Sequence, residues 1–184
     1  MTKGYNRYFI AAIPPSPLVD QALTLKHHFR EHYHSKASLD SPPHITLHMP
    51  FEWKSEKENE LVSSLKKLSS LLTPVTIELR NFGCFAPRVI FIHVVPSKEL
   101  VAFQLYVRQF CKNRLKLFNA DYKDLPFHPH VTLAFRDLKK SMFLKAWGEF
   151  QDKTLEGEFL VSRIYLLRHE EKKWRVLQEF PLAD

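Results

Sequence analysis

Two five-residue strings repeat one another in this chain: PHITL at Pro43 to Leu47 and PHVTL at Pro129 to Leu133. The histidines and the threonines share one offset, since 130 − 44 and 132 − 46 both give 86. Branched residues alternating with polar ones behind a proline predict extended backbone, and on a strand successive side chains face opposite ways. His44 and Thr46 therefore share one face, as do His130 and Thr132, while Ile45, Leu47, Val131 and Leu133 point to a core. A fold hosting both strings must offer two strands that each present an imidazole and a hydroxyl. Recurrence of this kind marks a duplicated unit. If the halves face each other, the two imidazoles meet across a cleft.

The flanking segments fit such a duplication. Tyr5 to Ile13 reads as a buried strand stopped by Pro14 and Pro15. Ser16 and Pro17 supply a capping oxygen and a first-turn proline, and Leu18, Ala22, Leu25 and Phe29 predict a helix to about His34. His44 to Phe51 reads as extended. Leu61, Leu65, Leu68 and Leu72 predict a helix over Ser55 to Leu72, and Pro74 ends it. Val75 to Phe82 and Val89 to Val95 predict a hairpin around the loop GCFAPR. A third helix is expected from about Lys98 to Leu117, a strand at His128 to Phe135, and a short helix from about Leu138 to Phe150. Phe159 to Arg168 and Trp174 to Phe180 read as a closing hairpin around HEEKK. The class is α+β with antiparallel sheets. No Gly/Ser linker divides the chain, so one domain is expected over 1–184, with the motifs at 44–46 and 130–132.

Composition narrows the partners. With 27 Lys+Arg against 20 Asp+Glu the formal charge is +7, which favours anions. A chain that is 45% hydrophobic with 15 Phe has a core to bury, and disorder is excluded. No apolar run approaches the roughly 20 residues of a membrane-spanning helix. The opening MTKGYNRYFIAAIPP reads as a first strand rather than a signal peptide. Two cysteines, Cys84 and Cys111, make no disulfide framework, and the cytoplasm is the expected compartment.

An imidazole pair suits phosphoester chemistry, because a pKa near 6.5 allows one ring to take a proton while the other gives one. Threonine hydroxyls beside them can donate to phosphate oxygens, and no metal or other cofactor is needed. With RYFIAAIPP at Arg7 to Pro15, PPHITLHMPFEW at Pro42 to Trp53, FGCFAPRVIFIHV at Phe82 to Val94 and HPHVTLAFR at His128 to Arg136, the chain resembles the 2H phosphoesterase superfamily. Within it, the chain is most similar to the 2'-5' RNA ligase or RNA 2',3'-cyclic phosphodiesterase family. The resemblance implies a bilobal, pseudo-twofold fold of duplicated antiparallel sheets with flanking helices and a central cleft as the active site. It also implies metal-independent hydrolysis of a 2',3'-cyclic phosphate or related 2'-linked phosphoester, with 2'-5' ligation as the reverse.

Carried over by position, His44 and His130 are the catalytic pair, and Thr46 and Thr132 bind the phosphate. Many members of the family place an arginine three residues after the second threonine; here Phe135 stands there and Arg136 follows. A one-residue shift reverses the facing direction, so Arg136 reaches the cleft only at a bulge or at the strand's end. Phe135 could instead stack on a base. Arg88, after the GCFAP turn, is a candidate for the cleft edge. His48 and His128 share the faces of the two motif histidines, either at the rim and behind it or in contact with substrate. His27, His28, His32 and His34 read as a solvated helix face, Phe51 and Trp53 mainly as core, and Ser38 and Ser41 as loop. Expected partners are RNA ends or cyclic and 2'-linked nucleotides, with no membrane, no obligate protein partner and a monomeric chain. The alternatives are an RNA-end or nucleotide-binding module of the same fold without appreciable turnover, and a metal-dependent hydrolase.

Overall fold

The computed structural model describes residues 4–119 and 126–183, so Met1 to Lys3 of the opening string lie outside it. Eight strands form one sheet: β1 (Tyr5–Ala12), β2 (Ile45–Lys54), β3 (Val75–Phe85), β4 (Val89–Val94), β5 (His130–Ala134), β6 (Glu156–Val161), β7 (Arg163–Glu170) and β8 (Lys173–Pro181). Among the described residues four α-helices accompany them: α1 (Leu18–Tyr33), α2 (Glu58–Ser69), α3 (Lys98–Leu115) and α4 (Lys140–Phe150). The sheet order is β6-β3-β4-β5-β2-β1-β7-β8, with every neighbouring pair antiparallel.

The two motif strands adjoin at the centre of this order, through Ile45 opposite Val131. Four strands lie to either side, so the halves share one continuous sheet whose midline is the motif pair. The chain itself weaves between them. β1-α1-β2-α2 is answered by β4-α3-β5-α4, and β3, which follows the first unit, pairs with β4 in the other half. The hairpin of β3 and β4 thus lies in the second half of the sheet.

Every motif strand is apolar on the side that meets the helices. Tyr8, Ile10, Ala12, Ile45, Leu47, Val131 and Leu133 join one core with Phe29, Leu61, Leu65, Val107 and Phe150 from the helices. Phe9 and Ala11, on the alternate face of β1, belong to a separate small cluster with Leu167 and Trp174. Polar links pin helix to sheet: Glu58, opening α2, accepts from the Tyr8 hydroxyl at 2.6 Å and from Arg168 at 2.6 Å.

Three local expectations are corrected. Ser16 does not cap α1; the Val19 and Gln21 amides donate to the Pro15 and Pro17 carbonyls instead. The first half of the loop GCFAPR is strand, since Gly83, Cys84 and Phe85 pair with Phe91, Ile90 and Val89. Gly83 makes that possible, because a Cβ there would lie 2.4 Å from the Phe91 ring. The closing segment Phe159 to Arg168 is two strands divided at Ser162, with β6 against β3 at one edge and β7 against β1 in the other half. A single residue joins strands far apart in the sheet order, which requires the sheet to curl. The signal is a slipped phase: Phe159 and Val161 are buried on odd positions, Ile164 and Leu166 on even ones.

Candidate active site

The uncovered face of the central strands carries the motif side chains. With Ile45 opposite Val131, the antiparallel register sets Thr46 across from His130 and His44 across from Thr132. His44, Thr46 and Thr132 line a hollow of about 200 Å³, and Thr46 and His130 line an adjoining one of about 260 Å³. The two imidazoles therefore open onto neighbouring cavities that share Thr46.

Both rings are held in the same way. His44 Nδ1–H donates to the Pro42 carbonyl at 2.7 Å, and His130 Nδ1–H to the His128 carbonyl at 2.8 Å. A carbonyl only accepts, so each neutral ring carries its proton on Nδ1 and keeps the Nε2 lone pair for the cleft. In each case the acceptor lies two residues back across a proline, Pro43 or Pro129, which accounts for the proline in both strings. Each ring also meets a phenyl face. Phe9 lies 4.7 Å from His44 at 42°, and Phe91 lies 4.9 Å from His130 at 46°.

Burial pushes the His44 imidazole down to about 4, against the opposing pull of the Pro42 carbonyl; the Lys26 ammonium and the other imidazole lower it further. His130 is lowered as well, first by burial and also by His128. Both shifts favour the neutral imidazole.

Arg136 reaches the cleft because the strand stops short of it. β5 ends at Ala134, and Arg136 takes a positive φ of 56°. Its guanidinium lies 4.9 Å over the Phe135 ring, and both residues line the first hollow. Asp137 then ties this corner to the segment after α1, accepting from the Ser35 hydroxyl at 2.8 Å and the Lys36 and Ala37 amides at 2.8 and 3.0 Å.

Other candidates fall elsewhere. Arg88 sits in the exposed turn after β3 and lines neither hollow. His48 is buried and, with exposed His128, lines the second hollow beside Arg108. Phe51 is core, and the Trp53 indole donates to the Lys57 carbonyl at 2.8 Å. His28 and His32 stack at 4.3 Å on α1, with Glu149 near His28, away from both hollows. Among the described residues no three His, Cys, Asp or Glu converge as a metal-holding group.

Sequence reasoning missed several residues of the first hollow: Phe9, Lys26, His169, Lys172 and Trp174. Lys26 had a readable signal. The buried stripe of α1 is Ala22, Lys26, Phe29 and Tyr33, a helical spacing with a lysine on its apolar side. Trp174, 4.7 Å from Phe9, arrives from β8 and had none.

A model of the 2'-5' RNA ligase superfamily matches residues 14–173. A Bacillus licheniformis protein, provisionally named a phosphoesterase, is 30% identical over 183 residues, covering 96% of this chain and 99% of its own. A similarly named Bacillus pumilus protein is 28% identical over 184 residues, covering 97% and 98%. Among solved structures, a Thermus thermophilus protein superposes with a TM-score of 0.67 at 21% identity, over 96% of this chain and 97% of that one. LigT of E. coli gives 0.62 at 20%, over 98% and 99%. At these identities the superpositions speak to the fold.

Proposed function

The chain belongs to the 2'-5' RNA ligase superfamily, and from that premise we propose that it is a two-histidine phosphoesterase acting on a 2',3'-cyclic phosphate or related 2'-linked phosphoester of RNA ends or nucleotides. The observation that carries this reading is the matched pair of imidazoles, each locked with Nδ1–H on a carbonyl and Nε2 left for the cleft, with a threonine across the strand from each.

In the proposed reaction one Nε2 takes a proton from water as its oxygen bonds to phosphorus. The other imidazole, protonated when the anionic substrate enters, gives its proton to the departing ribose oxygen as the P–O bond breaks. Thr46 and Thr132 donate to the nonbridging oxygens, where charge builds. Arg136 adds a cation at the cleft mouth, and Phe135 and Trp174 offer faces for a base. A nucleoside 5'-hydroxyl in place of water makes the same two proton transfers, and when the P–O3' bond is the one that breaks the product is a 2'-5' link. LigT, whose fold this chain shares, has been crystallised with 3'-AMP and with NADP+, and a 3'-monophosphate is what opening a 2',3'-cycle at its 2' oxygen leaves.

The test is turnover of an RNA oligomer ending in a 2',3'-cyclic phosphate, with EDTA present. His44→Ala and His130→Ala should each lower the rate by about 100- to 10,000-fold, the span of general acid–base catalysis. Variants within about tenfold of the parent refute the two-histidine mechanism. Retention of RNA without product from the parent protein supports the binding module, and turnover only without EDTA supports a metal-dependent hydrolase.

A further inference from the structure

The two motif histidines match in tautomer, acceptor and aromatic neighbour, yet one wall of the cleft has no counterpart beside the other ring. Lys26 of α1 is 1% exposed. Its Nζ donates to the Ser38 carbonyl at 2.8 Å and the Ser41 carbonyl at 2.9 Å, and it lines the same hollow as His44, Thr46 and Thr132. An ammonium has three protons, and among the described residues only these two acceptors bond to it. Among the same residues no carboxylate pairs with it. Asp40, which lines the same hollow, is exposed and forms no ion pair with it.

An unpaired buried cation costs several kcal/mol, and isolated charges of this kind are rare in folded proteins. Two more buried polar atoms of the same hollow have no hydrogen-bond partner among the described residues, the Ser38 hydroxyl and His169 Nδ1. Buried polar groups are nearly always satisfied, so a cavity walled by several unsatisfied ones is shaped for a polar ligand. A third proton on Nζ, the Ser38 hydroxyl and the threonine hydroxyls are all donors, and donors around a cation select an oxyanion.

We propose that Lys26 is a substrate-binding residue whose missing counter-charge is the phosphate of the substrate, and that its place beside His44 rather than His130 makes His44 the proton acceptor and His130 the proton donor. The inference rests on the phosphoesterase reading and adds a residue and a direction to it. The ammonium next to His44 disfavours an imidazolium there, so His44 stays neutral and ready to accept. The cation of the hollow that His130 lines, Arg108, is only half-buried and is not among the charges that lower His130, which is the ring that takes up a proton as the anion enters. Lys26 also supplies, from behind, a charge that the displaced arginine position does not supply from Phe135. Burial lowers the Lys26 ammonium to about 7, and an anion against it favours the charged form. His44, Arg136, His169, Lys172 and Asp40 are the other charged or titratable groups of this hollow.

The experiment uses inorganic sulfate, a tetrahedral anion whose charge is constant from about pH 5 to 9, with Trp174 fluorescence as the readout of binding. Lys26→Met should weaken sulfate by about tenfold or more, the factor for about 1.4 kcal/mol, and Lys26→Arg should keep a measurable part of it. Turnover of the cyclic phosphate should fall in Lys26→Met, with the acidic limb of its kcat profile moved to higher pH as His44 is relieved of the neighbouring charge. A lysine that only tethers α1 to the turn would lower Tm and leave sulfate affinity and the pH profile unchanged, and that result overturns the proposal.

Lys26→Met also leaves two carbonyls without a donor, so a second measurement needs no variant. Lysine 15N NMR of the parent protein follows the buried ammonium, and sulfate should raise its titration by about one pH unit; an unmoved titration overturns the proposal. Sulfate bound through Lys26 without any turnover would retain this site and refute the phosphodiesterase instead.

Discussion

Lowering the pH from 7 to 5 should destabilise the protein through His44, and the size of the effect follows from its surroundings. The ring is an ordinary histidine at 6.5 in the unfolded chain and is pushed to about 4 by burial in the fold. A base whose folded pKa is depressed takes up its proton in the unfolded state first, so its stability contribution is complete above 6.5 and is lost as pH falls towards 4. Near pH 5 the unfolded state holds about 0.9 more protons than the folded one, a slope of about 1.2 kcal/mol per pH unit. Integrated from pH 7 to pH 5 the loss is about 2 kcal/mol, and its ceiling below pH 4 is about 3 kcal/mol. His44→Gln removes the titration and keeps an amide donor for the Pro42 carbonyl. Urea unfolding of both proteins at pH 7, 6 and 5 isolates the term, because His130, lowered in the same direction, is common to the two. The stability difference should shift by about 2 kcal/mol in favour of His44→Gln as the pH falls. Parallel curves would refute the claim that the cleft holds His44 neutral.

Lys26 has the same sign in a higher window: lowered from 10.5 to about 7, it makes the parent protein gain about 3 kcal/mol on Lys26→Met between pH 7 and pH 10. Chemical denaturation across that range checks it. Gly83→Ala forces a methyl into the Phe91 ring that covers His130, which should cost about 1–3 kcal/mol in urea unfolding and lower turnover. Asp137→Ala removes the acceptor for Ser35, Lys36 and Ala37 and loosens the turn whose carbonyls hold Lys26. A loss of about 2 kcal/mol is expected, together with weaker sulfate binding, by calorimetry and fluorescence titration.

Much of the fold was readable because its information is local. The alternation of Ile45 with Thr46 and of Val131 with Thr132 already names a core face and a cleft face, and burial of Ile45, Leu47, Val131 and Leu133 follows it. α2 and α3 likewise follow their leucine and phenylalanine spacing, with Ser97 capping α3 at the Leu100 amide. Where reading failed, a contact distant in sequence had intervened. Cys84 and Phe85 extend β3 because β4 pairs with them, and Ser162 divides two strands because the curled sheet brings its other half within one residue's reach.

The sequence by itself determined the two His-x-Thr strands, their shared face and their duplication, because strand alternation converts residue order directly into direction. It also carried the departure at Phe135 and Arg136, though not its resolution, which needed the end of β5 and a left-handed Arg136. Only the tertiary structure decided that the motif strands are neighbours in one sheet, setting each histidine across from the other string's threonine. It alone put Lys26 beside one histidine and not the other. That asymmetry comes from how α1 packs and where the turn at Ser38 to Ser41 aims its carbonyls. Neither is written in any window of residues short enough for periodicity to reach.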